Sequence, residues 1–397
     1  MEHVVPRRSP APPLRLLQVL EPSGGGSGRH FLDLCRGMHS RGHHVEAVYS
    51  PVRAEEAFVR ELKAIGLPTV HAVNMKRAPG PSDLACFLEL RRIIGRNGFD
   101  IIHGHSSKAG ALTRLRLPGP HVPRIYTPHA FRTLDPTLGR GGRLIYGTIE
   151  WALAGFLTDH LICVSDDEFR HALSLHMPEK RMSVIVNGVA PPSAEMAQTL
   201  RASFGIAPEA FVFGFVGRLS AQKAPERLIA AFKSIAGSVR NSHLVMVGSG
   251  ELEGSLRKAI AESGLQNRMH LTAAFTGPQA VPAFDLLVMP SRYEAMSYVM
   301  LEGAAAGKAI IATDIGGART VIADGRNGFI LPNSDDTSAL AKTMIRAAEP
   351  ETFKALSATA ESLKDRFTLA VMLDRTEALY WKAASKRQTA ELVRPVR

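Results

Sequence analysis

Two glutamates, two cations and a run of glycines stand in this chain where an apolar run has just ended. Glu294 and Glu302 belong to Arg292-Tyr-Glu294-Ala295-Met296-Ser297-Tyr298-Val-Met-Leu-Glu302-Gly-Ala-Ala-Ala-Gly307-Lys-Ala, which follows the strand-like Leu286–Met289. On one helix an eight-residue spacing would set the two carboxylates about 80° apart. The pattern makes better sense with Glu294 in a loop and Ser297 capping a helix that carries Glu302 in its second turn. The N–H groups of Met296, Ser297 and Tyr298 would then offer an anion site suited to a diphosphate. Glu302 would accept the two hydroxyl hydrogen bonds of a diol.

A second cluster is Phe211-Val-Phe-Gly-Phe-Val-Gly217-Arg218-Leu-Ser-Ala-Gln-Lys223-Ala224-Pro225. A buried strand runs into a glycine turn, and two cations follow five residues apart. Arg218 offers a bidentate fork and Lys223 a point charge, a pair suited to phosphate oxygens. A third is Ser23-Gly24-Gly25-Gly26-Ser27-Gly28, where a glycine turn entering a helix permits close approach to phosphate. It lacks the register and the ribose-binding acid of a dinucleotide fingerprint, which disfavours a dehydrogenase. A fourth pairs His103-Gly-His105-Ser106-Ser107-Lys108-Ala-Gly110 with Tyr126-Thr127-Pro128-His129-Ala-Phe131-Arg132, each after a strand-like run. Asp166, Asp167 and Glu168 read as a helix cap. Asp314-Ile-Gly316-Gly317 reads as a structural turn, with ligand contact by the two glycines as the alternative reading.

The elements that must position these residues alternate. Candidate strands in the first half are Arg15–Leu20, His44–Tyr49, Thr69–Ala72, Ile101–His103, Arg124–Thr127 and His160–Val164. In the second half they are Phe211–Val216, His243–Val247, Met269–Thr272, Leu286–Met289, Ala309–Thr313 and Gly328–Leu331. Short apolar runs separated by helical stretches predict α/β architecture with parallel sheets buried on both faces. Turn and proline residues at Asn187–Pro192 place a linker there. The expectation is therefore two doubly wound domains facing a cleft, 1–188 and 189–370, with a C-terminal helix, 371–397, returning to the first. Ligands in such sheets bind beyond the carboxyl ends of strands, where every motif above falls.

Composition bounds the chemistry. With 397 residues, the chain is long enough for two cores. No run is long and apolar enough to span a membrane, and the stretch after Arg7 and Arg8 lacks the layout of a secretory leader. Three scattered cysteines, Cys35, Cys86 and Cys163, argue against a disulfide framework or a zinc site and fit a cytoplasmic setting. The net charge of +11 leans to the N-terminal half. It suits an anionic membrane surface or a phosphorylated substrate as well as it suits a plain solvated surface. No nucleic-acid-reading motif accompanies it, so nucleic acid is not an expected partner.

The two glutamates, the Ala-Ala-Gly-Lys stretch and the strand ending Ala-Thr-Asp-Ile-Gly-Gly together resemble the E-x7-E signature of retaining glycosyltransferases of family 4. The Gly217-Arg218…Lys223 cluster is similar to that family's phosphate-neutralising motif. The resemblance covers nearly the whole chain and implies the GT-B fold. It implies that Glu302 binds the donor's ribose, that Glu294 meets the transferred sugar, and that Arg218 and Lys223 neutralise the leaving diphosphate. It further implies that Gly25 and Gly26 meet the donor diphosphate and that His129 reaches the donor hexose, with His105 and Lys108 on the acceptor side. Ala295 and Ala224 stand where the family usually has Gly, and Ala309 where it usually has Pro.

The expected donor is a UDP- or GDP-sugar, and the expected acceptor a saccharide or lipid-linked saccharide of cell-surface polysaccharide or lipopolysaccharide synthesis. The enzyme would act in the cytoplasm or at the inner face of the plasma membrane. No Asp-x-Asp is present, so no metal and no cofactor are expected, and transfer would retain anomeric configuration by same-face attack, with domain closure excluding water. Two other readings stay open: a nucleotide-sugar 2-epimerase of similar fold, which would need acid/base carboxylates not identifiable here, and a non-catalytic nucleotide-sugar or membrane-surface binding protein.

Overall fold

The computed structural model describes residues 12–116, 121–135 and 138–392, the last seven as backbone only. Arg7 and Arg8, on which the leader argument turned, lie outside the described residues. The chain divides into two compact units. One holds the residues up to Cys163, Ala172–Ser183 and the chain from Leu373; the other holds Val164–His171 and Val184–Met372.

The first unit's sheet has seven strands: β1 (Arg15–Leu20), β2 (His44–Tyr49), β3 (Thr69–Ala72), β4 (Ile101–His105), β5 (Arg124–Thr127), β6 (His160–Cys163) and β7 (Met182–Val184), the last ending at the first residue of the second unit's main segment. They lie in the order β3-β2-β1-β4-β5-β6-β7, with parallel pairing from β3 to β6. β4 runs two residues beyond the expected His103, since Leu20 pairs with His105. β6 stops one residue short of Val164, whose N–H donates to Glu168 at the start of the following helix. Only three residues long, β7 gave no apolar pattern to detect.

The second unit carries β8 (Phe211–Val216), β9 (Ser242–Val247), β10 (Met269–Thr272), β11 (Leu286–Met289), β12 (Ala309–Thr313) and β13 (Gly328–Leu331), in the parallel order β10-β9-β8-β11-β12-β13. Its strands are apolar on both faces. Val212, Val245, Leu287 and Ile310 pack with Phe284, Met300 and Leu301 on one side. Phe213, Leu244, Leu286 and Ile311 pack with Leu228, Phe232 and Met344 on the other. Double-sided burial is why these strands read as continuous apolar runs.

The units interleave in sequence, and polar contacts show why. The Asp166 N–H donates to Thr320 Oγ1 at 3.2 Å, and Asp167 Oδ2 accepts the Gly317 N–H at 2.8 Å. These bonds hold 164–171 to the second unit, although the stretch precedes the Asn187–Pro192 linker. Val189 bridges to Thr368 within the same unit. In the helix Leu369–Leu392 the residues from Leu373 belong to the first unit, and the Leu373 side chain packs so closely that a Cβ on Gly37 would lie 2.4 Å from it.

Each sheet reverses its winding once, between β1 and β4 in the first unit and between β8 and β11 in the second. Such a switch point leaves a crevice beyond the strand ends. The loops around Glu21–Gly28 and His105–Lys108 flank the first, and those around Gly217–Ala224 and Pro290–Ser297 flank the second.

Gly214 lies mid-strand in β8, where a Cβ would come 1.9 Å from the Phe284 ring. We expect Gly214→Ala to destabilise the second unit by about 1–3 kcal/mol through overpacking. Urea unfolding followed by proteolysis of the second unit checks this, and an unchanged midpoint would contradict the packing described.

Candidate active site

In the second unit the two switch-point loops are laced together. The Arg292 N–H donates to Gln222 O at 2.8 Å, and Gln222 Nε2 donates to Tyr293 O at 3.1 Å. The Arg292 guanidinium reaches Ala221 O, Glu226 and Asp335 at 2.7–2.8 Å. Across these loops Lys223 Nζ pairs with Glu294 Oε1. The cation and the carboxylate expected to face a donor's phosphate and its sugar thus neutralise one another here. Arg218 is exposed.

Ala224 stands where the family that the sequence resembles usually has glycine, and its backbone shows the reason. It sits before the helix Pro225–Ile235 at φ +50, the left-handed region that a Cβ makes costly. Gly217 is backed by Gly248, on which a Cβ would lie 1.9 Å from Gly217 O, and Leu219 is backed by Gly250 in the same way. These two glycines follow β9 in Val247-Gly-Ser-Gly250, a strand-then-glycine signal that the sequence reading passed over.

Glu294 lies in the loop and Glu302 in the second turn of the helix Tyr298–Ala305. The Glu302 side chain is buried, and its carboxylate rests against Gly277, where a Cβ would come 1.9 Å from Oε2. Nothing in the sequence pointed to Gly277. Ser297 occupies the N-cap position, but its hydroxyl makes no cap bond and is buried without a partner among the described residues. The helix thus starts without a cap bond from its N-cap side chain. Gly316 and Gly317 turn out to be spacers for this loop. A Cβ on Gly316 would lie 2.4 Å from Glu294 O, and one on Gly317 would lie 2.8 Å from Met296 Cε.

In the first unit Gly25 and Gly26 open the helix Gly25–Ser40 and are exposed, Gly25 at φ +58. Gly25 lines a hollow of about 300 Å3 beside Arg29 and Glu55, whereas the neighbouring Ser27 lines a larger cavity. The larger cavity, about 780 Å3, is walled by His129, Ser106, Ser107 and Lys108. Arg53, Arg77 and Arg132 add cations to it, and Leu112, Leu115, Tyr146 and Ile149 add apolar surface. Lys108 Nζ holds Asp83 at 2.6 and 2.7 Å and also donates to Ala78 O. Gly110 serves packing, since a Cβ there would meet the Tyr126 ring at 2.2 Å.

His105 and His129 come together, with Nδ1 and Nε2 3.2 Å apart and the rings stacked. Their hydrogen bonds define a directed chain. Gln18 Nε2 donates to the Tyr380 hydroxyl at 3.0 Å, which leaves Gln18 Oε1 to accept from His105 Nε2–H at 2.9 Å. His105 Nδ1 then accepts from His129 Nε2–H. The Tyr380 hydroxyl donates to His103 Nδ1 at 2.6 Å, and His103 Nε2 lies 2.8 Å from Thr127 Oγ1. These tautomers follow from the partners. Gln18 was legible as the polar residue of an apolar strand; Tyr380, 277 residues from His103, was not. His30, His105 and His129 offer ring nitrogens within 4.8 Å of one another, a donor set able to hold a transition metal, although the bond between His105 and His129 already engages one lone pair.

Burial, reinforced by neighbouring histidines, holds His103, His105 and His129 well below the usual imidazole range. Their unfolded counterparts protonate below about pH 6.5. Their contribution is thus complete above that pH and is lost as pH falls, by up to about 1.4 kcal/mol per pH unit for each histidine that stays neutral when folded. We expect the melting temperature to drop steeply between pH 6.5 and 5, and the slope to be shallower in His103→Gln. Identical slopes in thermal melts of the two proteins would contradict the buried neutral chain.

Comparison with known proteins follows the same division. Residues 24–192 match the Glycosyltransferase Family 4 domain, and residues 210–349 match the domain described as glycosyl transferases group 1. An Escherichia coli relative, the UDP-Gal:alpha-D-GlcNAc-diphosphoundecaprenol alpha-1,3-galactosyltransferase, is 28% identical over 311 residues, which is 75% of this chain and 79% of the relative. Among solved structures, a glycosyltransferase from Rickettsia africae superposes with a TM-score of 0.76 at 20% identity, over 94% of this chain and 98% of its own. Anabaena HepE in complex with UDP does so with 0.75 at 20% identity, over 93% and 100%. The fold is GT-B.

Proposed function

The chain belongs to the glycosyltransferases, with a family 4 first domain and a group 1 second domain, and from that premise we propose that it is a metal-independent, retaining hexosyltransferase that uses a nucleotide-sugar donor, UDP- or GDP-linked. The observation that carries this reading is the second unit's switch point. There a buried Glu302 and an ion-paired Glu294 and Lys223 flank the start of a helix whose N-cap Ser297 makes no cap bond. The epimerase and binding-protein readings give way to sugar transfer.

Each residue takes a role its chemistry suits. Glu302 accepts the ribose hydroxyls, and the N–H groups at Met296, Ser297 and Tyr298 take the diphosphate. Arg218 and Lys223 stabilise the charge that develops as the diphosphate leaves. Glu294, released from Lys223 as the phosphate arrives, holds the sugar. No cofactor takes part. The acceptor hydroxyl attacks the face the diphosphate leaves, and a phosphate oxygen accepts its proton.

The acceptor is a saccharide on a lipid carrier, held in the first unit's larger cavity with Lys108 and His129 on its wall and the buried His105 behind His129. Arginines beside apolar residues suit a phosphorylated lipid-linked sugar, and the Escherichia coli relative is named for a diphosphoundecaprenol-linked acceptor. The enzyme would work in cell-surface polysaccharide or lipopolysaccharide synthesis, at the cytoplasmic face of the plasma membrane.

A panel of UDP-, GDP- and ADP-sugars, with and without EDTA, followed by thermal shift tests the donor assignment. One nucleotide sugar should raise the melting temperature, with no effect of EDTA. Glu302→Ala should weaken that ligand by roughly 1.5–3 kcal/mol, the worth of hydrogen bonds to a charged group. Unchanged affinity would remove Glu302 from the site. Glu294→Gln frees Lys223, so it should bind UDP at least as tightly as wild type while transferring sugar at least tenfold more slowly. Weaker UDP binding in that variant would contradict the exchange of partners.

A further inference from the structure

The helix Arg140–Phe156 is amphipathic the wrong way round for a water-facing element. A surface helix ordinarily turns apolar residues inward and charges outward. Here Glu150, its one acidic residue, points inward. It accepts from Arg114 Nη2 at 2.8 Å and from the Tyr126 hydroxyl at 2.9 Å, beneath the Arg114 guanidinium stacked on the Tyr126 ring. Facing outward are Leu144, Ile145, Ile149, Trp151 and Phe156, exposed by 72, 61, 46, 45 and 74%. At 3.6 residues per turn they fall within one arc of about 160°, on which no charged residue lies. The helix's other charges are Arg140 and Arg143 at its N-terminal end.

We propose that this face of the first unit seats on a bilayer surface that carries anionic lipid. Contiguous apolar patches of this kind mark interaction sites, and charge chooses among the occupants. Two arginines without a neighbouring exposed acid on the helix complement an anionic headgroup layer. A tryptophan and a phenylalanine among aliphatic residues are the set that enters the headgroup boundary. No helix among the described residues is long and apolar enough to cross a membrane, so the contact would lie on the surface. Continuity supports the same occupant. Tyr146, Ile149 and Glu150 of this helix also line the cavity of about 780 Å3, so a seated helix brings that cavity to the lipid. This last step rests on the lipid-linked acceptor proposed above; the docking face does not.

Flotation of the full chain with vesicles tests it. Wild type should rise with equimolar phosphatidylcholine and phosphatidylglycerol, and less so at high salt as the arginines are screened. Leu144→Glu with Phe156→Glu should bind at least about tenfold more weakly. Arg140→Ala with Arg143→Ala, which leaves the apolar face intact and guards against misfolding, should weaken binding roughly fivefold per arginine. Thermal melts with the donor sugar should be unchanged in every variant. Flotation equal in wild type and both variants, or none for wild type at low salt, overturns the proposal. So does a wild-type dimer in light scattering that Leu144→Glu with Phe156→Glu dissolves, since the face would then join two copies. Flotation without any donor-induced shift would sink the transferase assignment and leave the docking face standing.

Discussion

A chain of polar side chains, Thr127–His103–Tyr380–Gln18–His105–His129, buried up to its half-buried last member, ties the first unit together. A buried donor or acceptor left unmade costs about 1–3 kcal/mol, so each member depends on the next. Tyr380 is the keystone, because its hydroxyl takes the Gln18 amide on one side and supplies His103 on the other. Burial pushes that hydroxyl above the usual phenol range, which keeps it a donor. The last helix is held further by Arg41, which pairs with Asp374 and Glu377, and by His43, 3.0 Å from Glu377. His129 is thereby oriented from the far end of the sequence, in one tautomer, on a left-handed backbone at φ +55.

The second unit meets a different constraint, close approach of backbone. Four glycines, Gly248, Gly250, Gly316 and Gly317, let the loops beyond β8, β9, β11 and β12 lie against one another without side chains between them. The Lys223–Glu294 pair then closes two of these loops. Preformed loops cost little reorganisation when a charged ligand arrives. Ala224 departs from the pattern and bears its strain outside the loop contacts, at the entry to a helix whose buried Arg227 bonds Pro290 O and Asn333.

One helix joins anchoring to exposure. Glu150 fixes Arg140–Phe156 to the sheet through Arg114 and Tyr126, and this determines which residues are turned outward. Apolar residues on that face are not needed to hold the unit's core, whose members such as Leu17, Val19, Ile102 and Leu112 lie on other elements.

Much of this was legible in the residues. The twelve apolar runs, the α/β class and the glycosyltransferase resemblance follow from local pattern, because a strand buried on both faces must be apolar throughout and a loop that crowds another must use glycine. Glu294 in a loop and Glu302 in a second turn follow from spacing alone. Tertiary structure decided the rest. It set 164–171 into the second unit through two hydrogen bonds that no local signal announces, and left Ser297 without its cap bond. It also paired Lys108 with Asp83 and Lys223 with Glu294, and brought Tyr380 to Gln18 and His103. Sequence periodicity reports which faces must avoid water. It does not report which distant polar group satisfies a buried one, because that choice depends on where separate elements meet in space.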